Sequence, residues 1–309
     1  LRLMWSQALT IALVVASGIG AFLTTLSAVD SLALARDRYY AEGGFADVFA
    51  AVKRAPAALA ATLGDLPGVA DVQTTIEQVV RIELPGSDDA VIGQLIGLDP
   101  RRPPRMNRVS VRNGRDLEDE GDAGARRADG ALPVLVSAAF ADARGLKPGA
   151  QLSALVNGKR RTLVVNGIAL SPEFIFAGLM GMPDLRGFGI FWVPQEAIAA
   201  AYDMNGAFNR VAIKLAPGAD ERDVSARVTA MLARYGGREA HGRDEQTSHT
   251  MLDNEIKEQT VLGTILPAIF LGVAAFLLNV VVSRLVATQR EQITALKALG
   301  YPNRTIAAH

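Results

Sequence analysis

The chain has 309 residues, half of them hydrophobic, with 32 basic and 32 acidic side chains and no cysteine. A net charge of zero gives no indication of nucleic-acid binding, and the lack of cysteine excludes disulfides, thiolate catalysis and cysteine-ligated zinc. The mean hydropathy is positive, and the apolar excess lies at the two ends of the chain. We therefore expect a protein held in a lipid bilayer. Because the sequence begins with leucine and stops inside a patterned segment, we interpret it as a piece of a longer protein.

The first apolar segment runs from Leu3 to Val29 without a charged residue. At about 1.5 Å per residue, a helix of this length exceeds the roughly 30 Å hydrocarbon core of a bilayer. A cleaved signal peptide is the alternative, but its apolar core is only about 7–15 residues long. The sequence therefore predicts a first transmembrane helix over residues 1–29.

A strand–helix–strand pattern follows this segment. An apolar strand covers Asp47 to Val52, and Pro56 is expected to begin a helix, because proline is well suited to the first helical position. A strand with period-two alternation is then predicted from Val72 to Leu84.

A similar pattern precedes the second apolar segment. Alternating residues from Val211 lead to a helix that is expected to begin at about Asp220 and to end at Gly236. We expect the two patterns, in residues 30–89 and 203–258, to pair as halves of one membrane-proximal α+β subdomain. Each half would adjoin one transmembrane helix and could transmit its movement.

The region between these halves, residues 90–202, is rich in short strand patterns. Apolar residues at 134–136 predict one strand, and Asn157-Gly158 predicts a two-residue hairpin turn between alternating segments. We predict an inserted β-rich subdomain here. The fold class is α+β, with two transmembrane helices flanking an extracytoplasmic domain.

One segment of the insertion, residues 174–183, is apolar but interrupted by glycines, and it is too short to span a membrane. It could be a loop buried in the core of the domain. It could also be an exposed, adaptable surface for an apolar substrate or partner, a role that suits methionine. The candidate contact residues are Phe174, Ile175, Phe176, Leu179, Met180 and Met182.

The second apolar segment, residues 259–283, predicts the second transmembrane helix, with Pro267 as a tolerated kink. The residues after it include four basic side chains and one acidic one, and positive residues remain on the cytoplasmic side. Both ends of the chain are then cytoplasmic, and residues of about 30–258 lie outside. These flanking residues are Arg284, Arg290, Glu291, Lys297 and Arg304.

No catalytic motif is present. His241, Asp244, His249 and Asp253 could in principle bind a metal, but they lack a tight ligand motif, and polar residues near a helix start are usually caps or solvated. We expect no metal site. The sequence has no P-loop, so the chain should not hydrolyse ATP, and we predict that it is not an enzyme.

The residues after the second span predict a short helix over 285–300. Ile293, Leu296 and Leu299 fall on one face, while Gly300 and Pro302 end the helix at the membrane surface. Such a stripe suits docking into the groove of a partner. A helix resting on lipid is the alternative.

This tail resembles the signature of FtsX/MacB-like ABC transporter permeases, Arg-Glu-x-Ile-x-x-Leu-x-Ala-Leu-Gly directly after a transmembrane helix. The order of span, external domain, span and tail helix is also similar. The matching residues are Arg290, Glu291, Ile293, Leu296, Ala298, Leu299 and Gly300.

The resemblance implies a permease homodimer or heterodimer in a bacterial inner membrane, with its main domain periplasmic or extracellular. A separate cytoplasmic ABC ATPase would bind ATP and Mg²⁺, so this chain would need no cofactor. The helix at residues 285–300 would be the coupling element that docks that ATPase, through Arg290, Glu291, Ile293, Leu296, Leu299 and Gly300, and a periplasmic adaptor could join the assembly. Members typically have four spans, so residues 284–309 would hold the coupling helix and the start of a third span.

Two functions are consistent with these expectations. The first is export, or release of lipoprotein or lipid, driven by movement of the external domain. The alternative is a regulatory transducer that controls a periplasmic enzyme such as a peptidoglycan hydrolase.

Overall fold

The computed structural model describes residues 2–86, 89, 91–99, 101–117, 130–178, 182–288, 290–300, 302 and 304. The chain divides into two compact units. The helical unit comprises residues 1–35 and 254–309, and the globular unit comprises residues 36–253. Helix α1 (Arg2–Gly43) and helix α6 (Thr247–Thr288) each contribute residues to both units.

Two helices in the described part of the chain are long and apolar enough to cross a membrane. They cover Ala12–Gly43, with mean hydropathy 1.9, and Thr247–Thr288, with mean hydropathy 2.6. Within the helical unit they approach closely at small residues: a Cβ atom on Gly18 would lie 3.5 Å from Phe270 Cβ. The two predicted membrane helices are therefore present, and both are longer than the apolar segments that predicted them.

The globular unit contains a four-stranded antiparallel sheet of order β11-β1-β10-β2. It is built from two strand–helix–strand halves, which confirms the predicted pairing. The first half consists of β1 (Val48–Pro56), α2 (Leu59–Gly64) and β2 (Val69–Thr75). The second consists of β10 (Ala207–Leu215), α5 (Glu221–Leu232) and β11 (His241–Gly242).

Helices α2 and α5 supply apolar side chains to the core of this sheet, among them Leu63, Val224 and Val228. Helix α5 begins at the predicted place because the Asp220 carboxylate accepts a hydrogen bond from the Arg222 amide at 2.8 Å. The helix start predicted at Pro56 is wrong. Pro56 ends β1 opposite Ala207, and the helix forms only after this ladder has ended.

The other sheet has seven strands in the order β5-β8-β6-β9-β4-β3-β7, and β7 also pairs with β8. Six of these strands therefore form a closed ring of pairings, which we call the barrel, and β5 extends it at β8. The strands are β3 (Glu77–Glu83), β4 (Val91–Leu98), β5 (Ser110–Gly114), β6 (Leu132–Ser137), β7 (Gln151–Val156), β8 (Lys159–Leu170) and β9 (Phe188–Pro194). Two short helices accompany them, α3 (Ala138–Arg144) and α4 (Gln195–Ala201).

The hairpin turn predicted at Asn157-Gly158 is confirmed, since both residues have positive φ, 46° and 75°. The single strand predicted from Val72 to Leu84 is wrong. The chain crosses from β2 in one sheet to β3 in the other at the buried residue Ile76. The barrel thus begins at Glu77, whereas the inserted subdomain was expected from residue 90; the domain limits remain predictions.

Candidate functional site

The last part of α1, residues 36–43, and the first part of α6, residues 247–253, meet at the four-stranded sheet within the globular unit. The rings of Tyr40 and Phe45 are 4.5 Å apart, and Tyr40 Oη lies 3.2 Å from His249 Nδ1. Arg36 pairs with Asp253 at 3.2 Å. We call this set the helix-base cluster: Arg36, Tyr40, Phe45, Asp47, Arg243, His249 and Asp253.

Arg243 joins this cluster to the sheet. Its Nη2 donates to the carbonyl oxygen of Phe45 at 3.0 Å and pairs with Asp47, and its guanidinium lies 4.9 Å from the centre of the Phe45 ring. Asp47 also binds Lys214 at 3.0 Å and accepts the Leu215 amide at 2.9 Å. The segment that follows the end of α1 and the segment that precedes α6 are therefore bound to each other, and through Asp47 to strand β10, by charge-assisted hydrogen bonds.

Replacing Arg243 with lysine should destabilise the globular unit by about 1–2 kcal/mol. An ammonium group cannot reproduce the several donors and the flat stacking surface of the guanidinium. The effect can be measured by chemical unfolding of the full chain. Arg222→Lys, at an exposed position on α5, is the control and should change stability by less than about 0.5 kcal/mol. Equal effects of the two changes would contradict the anchoring role of Arg243.

A second polar group connects the four-stranded sheet to the barrel. Glu173, in a 3₁₀ turn after β8, accepts from Arg210 of β10 at 2.5 Å and from Asn107 at 2.6 Å. Arg210 also donates to Glu77 of β3 at 3.3 Å, and Gln246 donates to the carbonyl oxygen of Glu173 at 2.7 Å. We call Glu77, Asn107, Glu173, Arg210 and Gln246 the subdomain bridge.

The charged side chains of the bridge stabilise one another electrostatically. Burial raises the pKa of the Glu173 carboxyl, while the Arg210 charge lowers it and the Glu77 charge raises it further. Burial lowers the pKa of Arg210, but Glu77 and Glu173 together more than offset this and raise it. The Glu173 side chain is only 8% exposed, so its charge depends on Arg210 as a partner.

His241, next to this region on β11, should make stability depend on pH. Burial lowers its pKa below 6.5, and the positive charge of Arg210 acts in the same direction. As the pH falls, His241 is therefore protonated at a higher pH in the unfolded chain than in the folded chain. The stability that the neutral imidazole provides above the unfolded pKa is lost as the pH falls through the pKa of the folded state.

We expect wild type to lose stability relative to His241→Gln as the pH falls from about 8 to about 5. Unfolding free energies of both proteins across this range test the point. A constant difference between them would show that His241 does not titrate in the way its burial implies.

Comparison with known proteins places the sequence in a family. The family model for the MacB-like periplasmic core domain matches residues 8–231. The chain belongs to this family. The resemblance to FtsX/MacB-like ABC transporter permeases is thereby confirmed. For a MacB-like transporter this means a membrane protein with an extracytoplasmic domain, which works with a cytoplasmic ATPase.

Solved structures similar to the chain include the following two. One is the extracellular domain of the noncanonic ABC-type transporter YknZ from Gram-positive bacteria, with 13% identity and a TM-score of 0.39; the match covers 64% of this chain and 98% of that one. The other is the periplasmic region of MacB from Actinobacillus actinomycetemcomitans, with 10% identity and a TM-score of 0.39, covering 71% and 95%. No curated protein matches the sequence.

In this MacB-like chain, the apolar segment at 174–183 is divided between core and surface. Phe174 packs edge-on against Trp192, with ring centres 6.2 Å apart, and Ile175 packs beside the helix-base cluster. The Phe176 amide donates to Ser248 Oγ at 3.0 Å, whereas Met182 is 72% exposed. Leu179 and Met180 lie outside the described residues. A contact role for this segment remains a prediction.

The tail helix α7 covers Arg290–Ala298, and residues 285–288, predicted to belong to it, form the end of α6 instead. Gly300 has φ +83°, the left-handed conformation expected after a helix. Arg290 and Leu299 are exposed and Leu296 is partly exposed. The side chains of Glu291 and Ile293, and residues 303 and 305–309 of the expected third span, lie outside the described part. ATPase docking by this helix remains a prediction.

Sequence reasoning missed most of the helix-base cluster and the subdomain bridge. The sequence marks Asp253 and His249 only as polar residues near a helix start. Among the described residues, no group of three or more His, Asp or Glu side chains could hold a metal ion. The available signal for the bridge was the charge of Glu173 beside an apolar segment. A charge at such a position requires a buried partner.

Proposed function

We propose that the chain is a permease subunit that converts ATP hydrolysis by a separate cytoplasmic ATPase into movement of its extracytoplasmic domain. The movement would serve export, or the release of lipoprotein or lipid. The observation that supports this most directly is the helix-base cluster, in which parts of both membrane helices contact each other and the same sheet.

A continuous set of contacts leads from that cluster into the domain. Arg243 and Asp47 connect the helix ends to β1 and β10, and Arg210 of β10 connects to Glu173 and Glu77 at the barrel. Buried ion pairs of this kind resist being pulled apart, because separation leaves uncompensated charges. A displacement of the helix ends would therefore move the sheet and the barrel with them.

In this proposal the chemistry belongs to the partner. The ATPase would bind ATP and Mg²⁺, while this chain would act without a cofactor or a catalytic residue. Two permease chains, identical or different, would combine in the inner membrane of a bacterium, with or without a periplasmic adaptor. The exposed strand residue Ala70 offers a position from which to follow the approach of two copies.

Crosslinking in a reconstituted complex tests the proposal. Since the chain has no cysteine, Ala70→Cys introduces one reporter on edge strand β2. We expect crosslinking between copies, in nanodiscs with the ATPase, to differ between the nucleotide-free and ATP-bound states. The same reporter in a Leu296→Asp chain, which should not bind the ATPase, is the control and should not respond to ATP. A yield that is unchanged by ATP in the intact complex would contradict the proposed movement.

A further inference from the structure

A cavity of about 360 Å³ lies at one end of the barrel, where β7 ends and β6 and β8 begin. Its inner wall is formed by buried apolar side chains of the barrel strands, including Leu95, Val156 and Val193. Helix α4 forms the other wall with small alanines. This size is at the lower end of the range for small-molecule sites, which is about 300–1,000 Å³.

Two cations occupy inward-facing positions at the mouth of this cavity. In the β7–β8 hairpin, Lys159 lies opposite Val156 and Arg161 lies opposite Ala154, and both partners are buried on the inner face. Leu163, the next inward residue along β8, is completely buried. Arg160 between the two cations faces outward and pairs with Glu83 at 2.9 Å.

Although their register positions face inward, both cations are exposed at the mouth of the cavity. Charged residues often protect an exposed sheet edge, and at Lys159 and Arg161 strand β8 pairs only with β7, because its pairing with β6 begins at Leu163. None of the described residues that line the cavity is acidic. Within the described lining, Lys159 and Arg161 therefore give the cavity a positive mouth above an apolar wall.

The hairpin tip is fixed to α4 and its C-terminal end. The Asn157 amide donates to Tyr202 Oη at 3.1 Å, and its side-chain Nδ2 donates to the carbonyl oxygen of Ala201 at 2.8 Å. The cavity is thus bounded by two elements that are connected to each other. The same bonds engage the backbone amide and the side-chain Nδ2 of Asn157, the one uncharged polar side chain among the described lining residues.

We propose that this cavity binds a single-chain anionic amphiphile, with a carboxylate or phosphate head between Lys159 and Arg161 and a hydrocarbon tail against the apolar wall. Arginine suits both head groups because its guanidinium can donate two parallel hydrogen bonds. A peptide fits less well, because its backbone amides would be buried against a wall whose described side chains, apart from Asn157, Lys159 and Arg161, are apolar.

A site-specific fluorescence titration tests this inference without the ATPase, so its result is independent of the proposed coupling. Ala200→Cys, at an exposed position of the cavity rim, carries an environment-sensitive dye in the full chain, in nanodiscs of zwitterionic lipid. The ligands are decanoate, decyl phosphate and uncharged decanol, with empty nanodiscs as blanks. We expect saturable binding of at least one anion, and decanol should bind about tenfold more weakly.

The mutational test compares cations of β8 at inward-facing positions with a neighbouring cation that faces outward. Lys159→Gln with Arg161→Gln should weaken anion binding by about tenfold or more, whereas Arg160→Gln, the outward control, should change it by less than about twofold. A preference for decanoate would identify a fatty acid, and a preference for decyl phosphate would identify a phosphate head group. Equal binding of decanol, equal loss in Arg160→Gln, or no saturable signal would each overturn the proposal.

Discussion

Replacing Arg210 with methionine should destabilise the globular unit by about 3 kcal/mol. The change leaves the carboxylates of Glu173 and Glu77 near each other without their shared cation, and breaking one side of a buried ion pair typically costs about 3–5 kcal/mol. We expect the lower end of that range because the Arg210 side chain is 21% exposed. Chemical unfolding of the full chain, followed by the fluorescence of buried Trp192, gives the change in unfolding free energy.

An exposed pair provides the matched control. Arg227 pairs with Asp223 one helical turn away on α5, and both side chains are well exposed. Arg227→Met should therefore cost less than about 0.5 kcal/mol. A second test adds Glu173→Gln to Arg210→Met, which removes one uncompensated charge and should restore part of the lost stability. Equal effects of the two arginine changes, or no recovery in the double variant, would contradict the electrostatic role of the bridge.

The double change Glu173→Leu with Arg210→Met separates stability from coupling. Apolar side chains of similar size can replace a buried ion pair at little cost in stability. If the bridge transmits movement to the barrel through its charges, such a variant would fold and yet respond less to ATP at a reporter on the barrel. The subdomain bridge thus allows the mechanical role of a charged contact to be examined apart from its contribution to folding.

The elements that could be predicted correctly from the sequence are those determined by neighbouring residues along the chain. Long uncharged apolar segments identify the membrane helices, and the Asp220 side chain marks the start of α5. The Asn157-Gly158 turn is also local, because two adjacent positive φ angles select these residue types.

The crossing at Ile76 could not be predicted, because the alternation of β2 continues into β3 and gives no sign of a change of sheet. What fixes it is distant: Asn209 Oδ1 accepts the Glu77 amide at 2.7 Å, and Asn209 Nδ2 donates to the Glu77 carbonyl oxygen at 2.7 Å. The subdomain bridge likewise depends on residues that are distant in the sequence. Glu173 and Arg210 are close in the fold but remote along the chain, and neither sequence context identifies the other.

Replacing Leu296 with aspartate should reduce ATPase binding by about a hundredfold or more. If the face of α7 that carries Leu296 enters an apolar groove of the ATPase, a carboxylate there would be buried without a partner, at a cost of about 3 kcal/mol or more. Binding of the purified ATPase to the full chain in nanodiscs measures the loss. Thr294→Asp is the charge-matched control, because Thr294 is exposed and lies on a different face of the same helix.

The same pair of variants decides between the two roles left open for α7. A helix that rests on lipid would lose its membrane contact in Leu296→Asp, but the affinity of the ATPase would not change. A docking helix would lose the ATPase in Leu296→Asp and keep it in Thr294→Asp. If both variants bind the ATPase normally, α7 is not the docking element, and the proposed route from ATP hydrolysis to the helix-base cluster must begin elsewhere in the permease.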